Sequence, residues 1–206
     1  VAQGGLRQGC GVMARRVTVM DKTIDAVVLI DLQKGIVRGV GGDRQAEADA
    51  NLEAVLGRLK KLLKAARKAD LPIIHIQHSG PKGHRVEKST EGWEFLDAVT
   101  PEDGEVVVYK EACDAFYQTS LQEELDLVGA KHIAIAGCMT NYCVDTSCRS
   151  AVAHGFNVTL CADGHSTVDN GILTFEQIIA HHNKTLDGFD AGDCEVSVRP
   201  IAELVG

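Results

Sequence analysis

No apolar run in the sequence approaches the ~20 residues needed to cross a bilayer, so no transmembrane helix is expected. Positive charge is in deficit. Against 29 Asp and Glu stand only 21 Lys and Arg, a formal net charge of −8. That excludes a general field for nucleic acid or an anionic membrane surface and leaves room only for a small local basic pocket. No internal repeat, low-complexity segment or domain linker is present. Cys138, Cys143 and Cys148 recur every five residues without finger spacing or a following histidine pair, so no zinc knot is encoded and no metal or other cofactor is expected. The seven cysteines, an odd number, also lack the spacing of a small secreted disulfide scaffold. Cys113, Cys138 and Cys161 lie in or beside apolar runs, where a free thiol behaves as a small hydrophobe. A reducing compartment, the cytoplasm, follows as the expected location.

What is present is an ordinary globular composition, 45% hydrophobic and 24% charged over 206 residues, enough for one domain with a sizeable core. Residues 1–22 are Gly-rich and lack the apolar core of a signal peptide. They are expected to form a flexible N-terminal extension ahead of a domain over 23–206.

Six β-branched, apolar runs punctuate that domain: 25–31, 71–77, 105–110, 131–137, 156–163 and 194–200. The central ones are nearly continuous in apolar character, as parallel strands covered on both faces must be. Helical spacing separates them. From Asn51 to Ala69, Leu52, Val55, Leu56, Leu59, Leu62, Leu63 and Ala66 recur every three or four residues, with lysines and arginines on the opposite, solvated face. Further helices are expected over 120–128, 143–154 and 175–186, the second stopping at Gly155. Strands alternating with helices predict an α/β fold: three αβα layers around a doubly wound, mainly parallel, six-stranded Rossmann-like sheet.

In such a sheet ligands bind beyond the carboxyl ends of the strands. The residues there are Asp31, Gln77, His78, Lys110, Gly137 with the loop behind it, Asp163 and Arg199. An acid, a lysine and the thiol-bearing loop "GCMTNYC" therefore meet at one rim. A thiol, with an ordinary pKa of about 8.5, becomes a nucleophile once ionised, and a helix start or a nearby cation lowers that value. Lys110 is placed to be that cation, Asp31 to exchange the proton, and backbone N–H groups of the loop to face an oxyanion. His75 alternates within a strand and reads as core. His78 and His84 lie in the loop near the rim, better placed for a substrate.

The runs "DAVVLIDLQKGI", "VVVYKEACDAFYQTSL" and "IAIAGCMTNYCVDTSCRSAVAHGFNVTLCAD" together resemble the isochorismatase-like cysteine hydrolase superfamily, from about Asp25 onward. The most specific part is G-x-x-T-x-x-C-V, here Gly137, Thr140, Cys143 and Val144. The resemblance implies a triad of Asp31 as general acid/base, Lys110 stabilising the thiolate and Cys143 as nucleophile, acting through a thioester on small C–N amide bonds. It implies a cis peptide between Cys138 and Met139, with the N–H groups of Met139 and Cys143 as the oxyanion hole. Trp93 and Phe116 are expected to line the substrate pocket on the same ground, joined by Gln33, His78, Thr140 and Tyr142 from the rim and its loop. The family's usual acidic and aromatic pair after the first Asp is replaced by Gly35 and Ile36, which predicts a more open wall. The Asp-x-His set of metal-binding nicotinamidases is missing. A homodimer or homotetramer is implied, with the 178–186 helix as a candidate interface. Two other functions stay open: vinyl-ether cleavage of the isochorismatase type, which needs Asp31 but no thiol, and a non-catalytic binding or thiol-redox role with Cys138 or Cys148 as resolving thiol.

Overall fold

The computed structural model describes residues 20–205. In chain order its elements are β1 (Ala26–Ile30), α1 (Lys34–Val37), α2 (Gln45–Lys68), β2 (Ile73–His78), β3 (Val106–Lys110), α3 (Leu121–Leu127), β4 (His132–Cys138), α4 (Asp145–Ala153), β5 (Asn157–Ser166), α5 (Phe175–Leu186), β6 (Asp190–Ala191), β7 (Cys194–Arg199) and α6 (Ile201–Leu204). The sheet order is β3-β2-β1-β4-β5-β7-β6. All pairings are parallel except that of β6 with β7. The six expected strands are all there. The seventh, β6, is a two-residue addition closed against β7 through Gly192 (φ 66°), too short and polar to leave a periodic signal.

Alternation along β1 explains why its run is apolar throughout. Val27 and Leu29 face a core built with α2, while Ala26, Val28 and Ile30 face a second core with α3 and α4. Helix α2 presents Leu52, Val55, Leu56, Leu59, Leu62 and Leu63 to the first core, and Leu59→Ala there would cost about 2–5 kcal/mol. The helix begins at Gln45, six residues ahead of the apolar periodicity, because its first turns are Ala, Glu and Asp with little to bury. Gly155, at φ 88°, ends α4 as expected.

The described part of the expected extension is docked. Met20 is buried and bridges Val205, the Asp21 N–H donates to the Leu204 carbonyl at 2.8 Å, and Arg199 pairs with Asp21 at 2.7 Å. Residues 1–19 lie outside the described residues. Among the described residues no helix is long and apolar enough to cross a membrane.

From β1 the chain winds outward through β2 and β3, then returns to lay β4 on the other side of β1. The crevice of a doubly wound sheet opens at this reversal, beyond the carboxyl ends of β1 and β4. Gly137, at φ 135°, lets the two strands close there, since a Cβ would run into the Ile30 carbonyl.

Candidate active site

Asp31 follows directly on β1 in a left-handed conformation (φ 50°), one that a non-glycine residue holds only when its surroundings over-determine it. Lys110 ends β3. Cys143 lies in a single π-helical turn, Thr140–Val144, ahead of α4, and the peptide between Cys138 and Met139 is cis. The expected helix over 143–154 therefore starts two residues late: the thiol sits in the irregular turn and the regular helix begins at Asp145.

These three elements bring their side chains together below the surface. Lys110 Nζ donates to Asp31 Oδ2 at 2.7 Å, to the Ala112 carbonyl at 2.9 Å and to Cys143 Sγ at 3.2 Å. His78 Nδ1 lies 3.4 Å from the same ammonium. Asp31 and Lys110 are closed off from solvent, whereas Cys143 retains 9% exposure and is the member a ligand can reach. Asp31 Oδ1 is buried and has no hydrogen-bond partner. A carboxylate oxygen kept dry and unpaired costs free energy, and such costs persist where chemistry uses them.

The electrostatics follow from that burial. Desolvation raises the Asp31 carboxyl above the usual carboxylate range, with the Lys110 charge pulling the other way. Desolvation alone would lower Lys110, but Asp31, with Cys143 behind it, outweighs this and holds the ammonium firmly charged. The thiol is raised, first by burial and then by the Asp31 charge, with Lys110 only partly compensating. A thiol lowered by its cation was expected; the balance runs the other way, because burial of the thiol and then the Asp31 charge outweigh the cation. The resting cluster is a neutral thiol beside a Lys–Asp ion pair. Moving one proton from Sγ to Asp31 gives thiolate, ammonium and carboxylic acid, with the same net charge. That transfer avoids placing a new net charge in a dry site. His78 is pushed down to about 4 by burial and by Lys110, so it is neutral near pH 7.

A cavity of about 390 Å³ stands over Asp31 and Cys143, with Ile36, Val40, Met139 and Val168 as its apolar lining and His78, His84, Arg85, Asn141, Tyr142 and Asn170 among its polar groups. Of the expected pocket residues, His78 and Tyr142 line it. Gln33, Trp93, Phe116 and Thr140 do not. Gln33 is consumed by backbone, accepting from the His78 N–H and donating to the carbonyls of His78 and Trp93. Trp93 turns outward, donating to Ser79 Oγ and stacking on Tyr109. Phe116 packs between His154 and Phe156. Thr140 points behind the loop to His165 Nδ1 at 2.9 Å, and His165 Nε2 meets Asn183 at 2.9 Å. That buried chain props the turn carrying Cys143. The wall expected to be open at Gly35 is closed by other backbone: a Cβ there would lie 2.6 Å from the Arg85 carbonyl.

Asp163 and Arg199 also stay away from the site. Strand β5 runs past a bulge to Ser166, and Asp163 instead binds Arg58 and the Ile201 N–H. Arg199 serves Asp21 and Glu203. Cys138 and Cys148 are fully buried, with desolvation raising both thiols, the former to about 12. The cysteine that shares the cavity with Cys143 is the exposed Cys113. Among the described residues no group of three or more His, Cys, Asp or Glu is arranged to hold a metal. Arg85, Asn141 and Asn170 were not singled out as site residues, although Asn141 lies in the thiol-bearing "GCMTNYC" loop and Arg85 in the basic "GPKGHR" loop behind β2.

Residues 25–176 match the isochorismatase domain. Over 146 residues the chain is 34% identical to a streptothricin hydrolase of Streptomyces noursei, covering 71% of this chain and 51% of that protein. Over 141 residues it is 28% identical to nicotinamidase 3 of Arabidopsis thaliana, covering 61% of this chain and 70% of the relative. It thus spans about half the length of the streptothricin hydrolase it matches. The crystal structure of an isochorismatase from Pseudomonas putida superposes with a TM-score of 0.76 at 27% identity, over 88% of this chain and 90% of that one.

Proposed function

The chain belongs to the isochorismatase domain family, and from that premise we propose that it is a cysteine-dependent hydrolase of a small C–N amide bond, working through Asp31, Lys110 and Cys143. One observation carries the proposal. Lys110 Nζ bridges Asp31 Oδ2 (2.7 Å) and Cys143 Sγ (3.2 Å) at the floor of a ligand-sized cavity. The relatives named as a streptothricin hydrolase and a nicotinamidase support the same reaction class.

As the substrate carbonyl settles over Cys143, Asp31 takes the thiol proton and Sγ attacks the carbonyl carbon. Lys110 holds its charge throughout, first against the carboxylate and then against the thiolate. The backbone N–H groups of Met139 and Cys143 receive the oxyanion. Collapse expels the amine, which takes the proton from Asp31 and leaves a thioester. Water then gives a proton to Asp31 and attacks the thioester, and the proton returns to Sγ as the acid departs. The raised Asp31 pKa suits both duties, since an acid poised nearer neutrality gives and takes protons more evenly.

The test is ammonia or amine release from small amides, ureides and N-carbamoyl compounds, with Cys143→Ser run beside the parent chain. Release that disappears in the variant is expected. An activity on vinyl ethers that survives Cys143→Ser would instead assign the isochorismatase-type reaction, which needs the acid and not the thiol.

A further inference from the structure

The thiol of Cys143 is not alone on its cavity. Cys113 opens onto the same space and is exposed, the one other thiol among the described residues to line it. Cys138, Cys148 and Cys161 are shut away from solvent in the two cores, and Cys194 lies on β7, off the cavity wall. The chain on either side of Cys113 is stitched to the elements around Cys143. Just before it, the Ala112 carbonyl accepts from Lys110 Nζ at 2.9 Å, and the same ammonium reaches Cys143 Sγ at 3.2 Å. Just after it, Asp114 Oδ2 accepts the Ser150 hydroxyl at 2.9 Å and the Ala115 N–H donates to Ser147 Oγ at 3.0 Å, both on α4.

Cys113 is thereby held beside the start of the helix that follows Cys143, with one ammonium between its neighbour's carbonyl and the Cys143 sulfur. Residues 111–120 form no helix or strand. The approach that an S–S bond of about 2 Å demands therefore falls on an irregular segment, and the propped turn under Cys143 can stay in place. An accessible thiol with a second thiol on the same small cavity is the arrangement from which disulfides form.

We propose that Cys113 is the partner thiol of Cys143 in a redox switch: a hydroperoxide joins the two in a disulfide across the cavity, which removes the nucleophile until a dithiol reduces the bond. Peroxide meets Cys113 first, the more exposed of the two. Its sulfur attacks one peroxide oxygen, the O–O bond breaks, and a sulfenic acid and water result. Cys143 then attacks the sulfur of that sulfenic acid. Its proton goes to Asp31, as it does when a carbonyl is the target, and the hydroxide leaving Cys113 takes that proton up as water. Two thiols lose two electrons, the peroxide gains them, and two waters leave for one S–S bond. The proton path rests on the amidase reading, whereas the bond itself is read whether or not any amide is cleaved.

The full chain is treated with stoichiometric hydrogen peroxide, alkylated with N-ethylmaleimide in denaturant without reductant, and mapped by peptide mass spectrometry beside Cys113→Ser. The expected map shows a Cys113–Cys143 link within one chain, with alkylatable thiols down by two from the seven of the sequence, and dithiothreitol restores all of them. In Cys113→Ser no link forms on Cys143, whose sulfur stays free or climbs to sulfinic and sulfonic acid. Three results overturn the proposal: both thiols still alkylated in the treated parent, a link from either to Cys10, Cys194 or a second chain, or Cys143 over-oxidised in the parent as fast as in the variant. If Cys113→Ser does not fold, the map of the parent decides alone. On any amide the chain cleaves, activity lost as the link forms should return with dithiothreitol. A chain that forms the link yet cleaves no amide keeps the switch and loses the amidase reading, and a chain that cleaves amides without forming the link does the reverse.

Discussion

Toward the amino ends of β2 and β3, Glu105 accepts hydrogen bonds from Arg67 at 2.7 and 3.1 Å and from the Glu102 N–H at 3.0 Å, and meets His75 Nε2 at 2.8 Å. At the carboxyl end of β3, Asp31 has one oxygen on Lys110 at 2.7 Å and the other on nothing. Both are acids paired with a cation, yet their proton affinities move in opposite directions. Burial alone would raise Glu105, but its Arg67, Glu102 and His75 partners win and hold it down to about 2. At Asp31 burial wins, and the acid is raised. A fully partnered ion cluster is a structural joint, whereas one left short of a partner keeps a proton within reach of reaction.

The largest expected break in this contrast is at the thiol. Cys143→Ala should lower kcat/KM for an amide substrate by about 10⁴-fold or more with the fold intact, read as ammonia release beside a circular dichroism melt. Lys110→Met comes next. It strands the buried Asp31 carboxylate and should cost about 3–5 kcal/mol in urea unfolding as well as the activity. Glu105→Gln should do the reverse in kind, costing about 1–3 kcal/mol of stability while kcat per folded molecule holds, because Arg67 keeps partial access to water.

Acid separates the two ends by pH. The Glu105 pairing contributes stability above its unfolded pKa near 4.5, and that contribution is lost as pH falls toward about 2. His165 acts earlier. Burial pushes it down to about 4 from 6.5, so it folds as the neutral ring, and its contribution is fully present above pH 6.5 and lost as pH falls to about 4. That loss is about 3 kcal/mol and should appear as a falling urea midpoint over this window, smaller in His165→Asn. Catalysis needs ionised Asp31, so the acid limb of kcat/KM should lie above the ordinary carboxylate range, at higher pH than the Glu105 transition. The smallest effect is at Thr140→Val, which removes the hydroxyl facing His165 Nδ1 and should cost about 0.5–1.5 kcal/mol, with a modest fall in kcat as the turn under Cys143 loosens.

The strands were legible because both faces of the sheet are covered, which forces unbroken runs such as Ala26–Ile30. The order Asp31, Lys110, Cys143 was legible because each lies on or just beyond the end of a regular run. The rest depended on facts that no period records. Asp163 looked like a strand end only because β5 continues through a bulge to Ser166. Gln33, Trp93, Phe116 and Thr140 were expected in the pocket, and each is instead turned toward a backbone or side-chain partner in another segment. The thiol's proton affinity rose because burial and Asp31 outweigh Lys110, and burial is a property of the folded chain. Arg85 and Asn170 sit in irregular segments after β2 and β5, and they line one cavity because both loops rise from the same rim.

The closure of β1 on β4 at Gly137 fixes the acid and the thiol-bearing turn to the two innermost strands, while Arg85 and Asn170 hang from connecting segments. Innovation can therefore proceed on one layer of the molecule without reopening the other. A library varied at positions 84, 85 and 170 should return mostly folded proteins with altered diets, and one varied at 31, 110 and 137 mostly inert or unfolded ones. In a doubly wound sheet, the chemistry is inherited and the menu is negotiable.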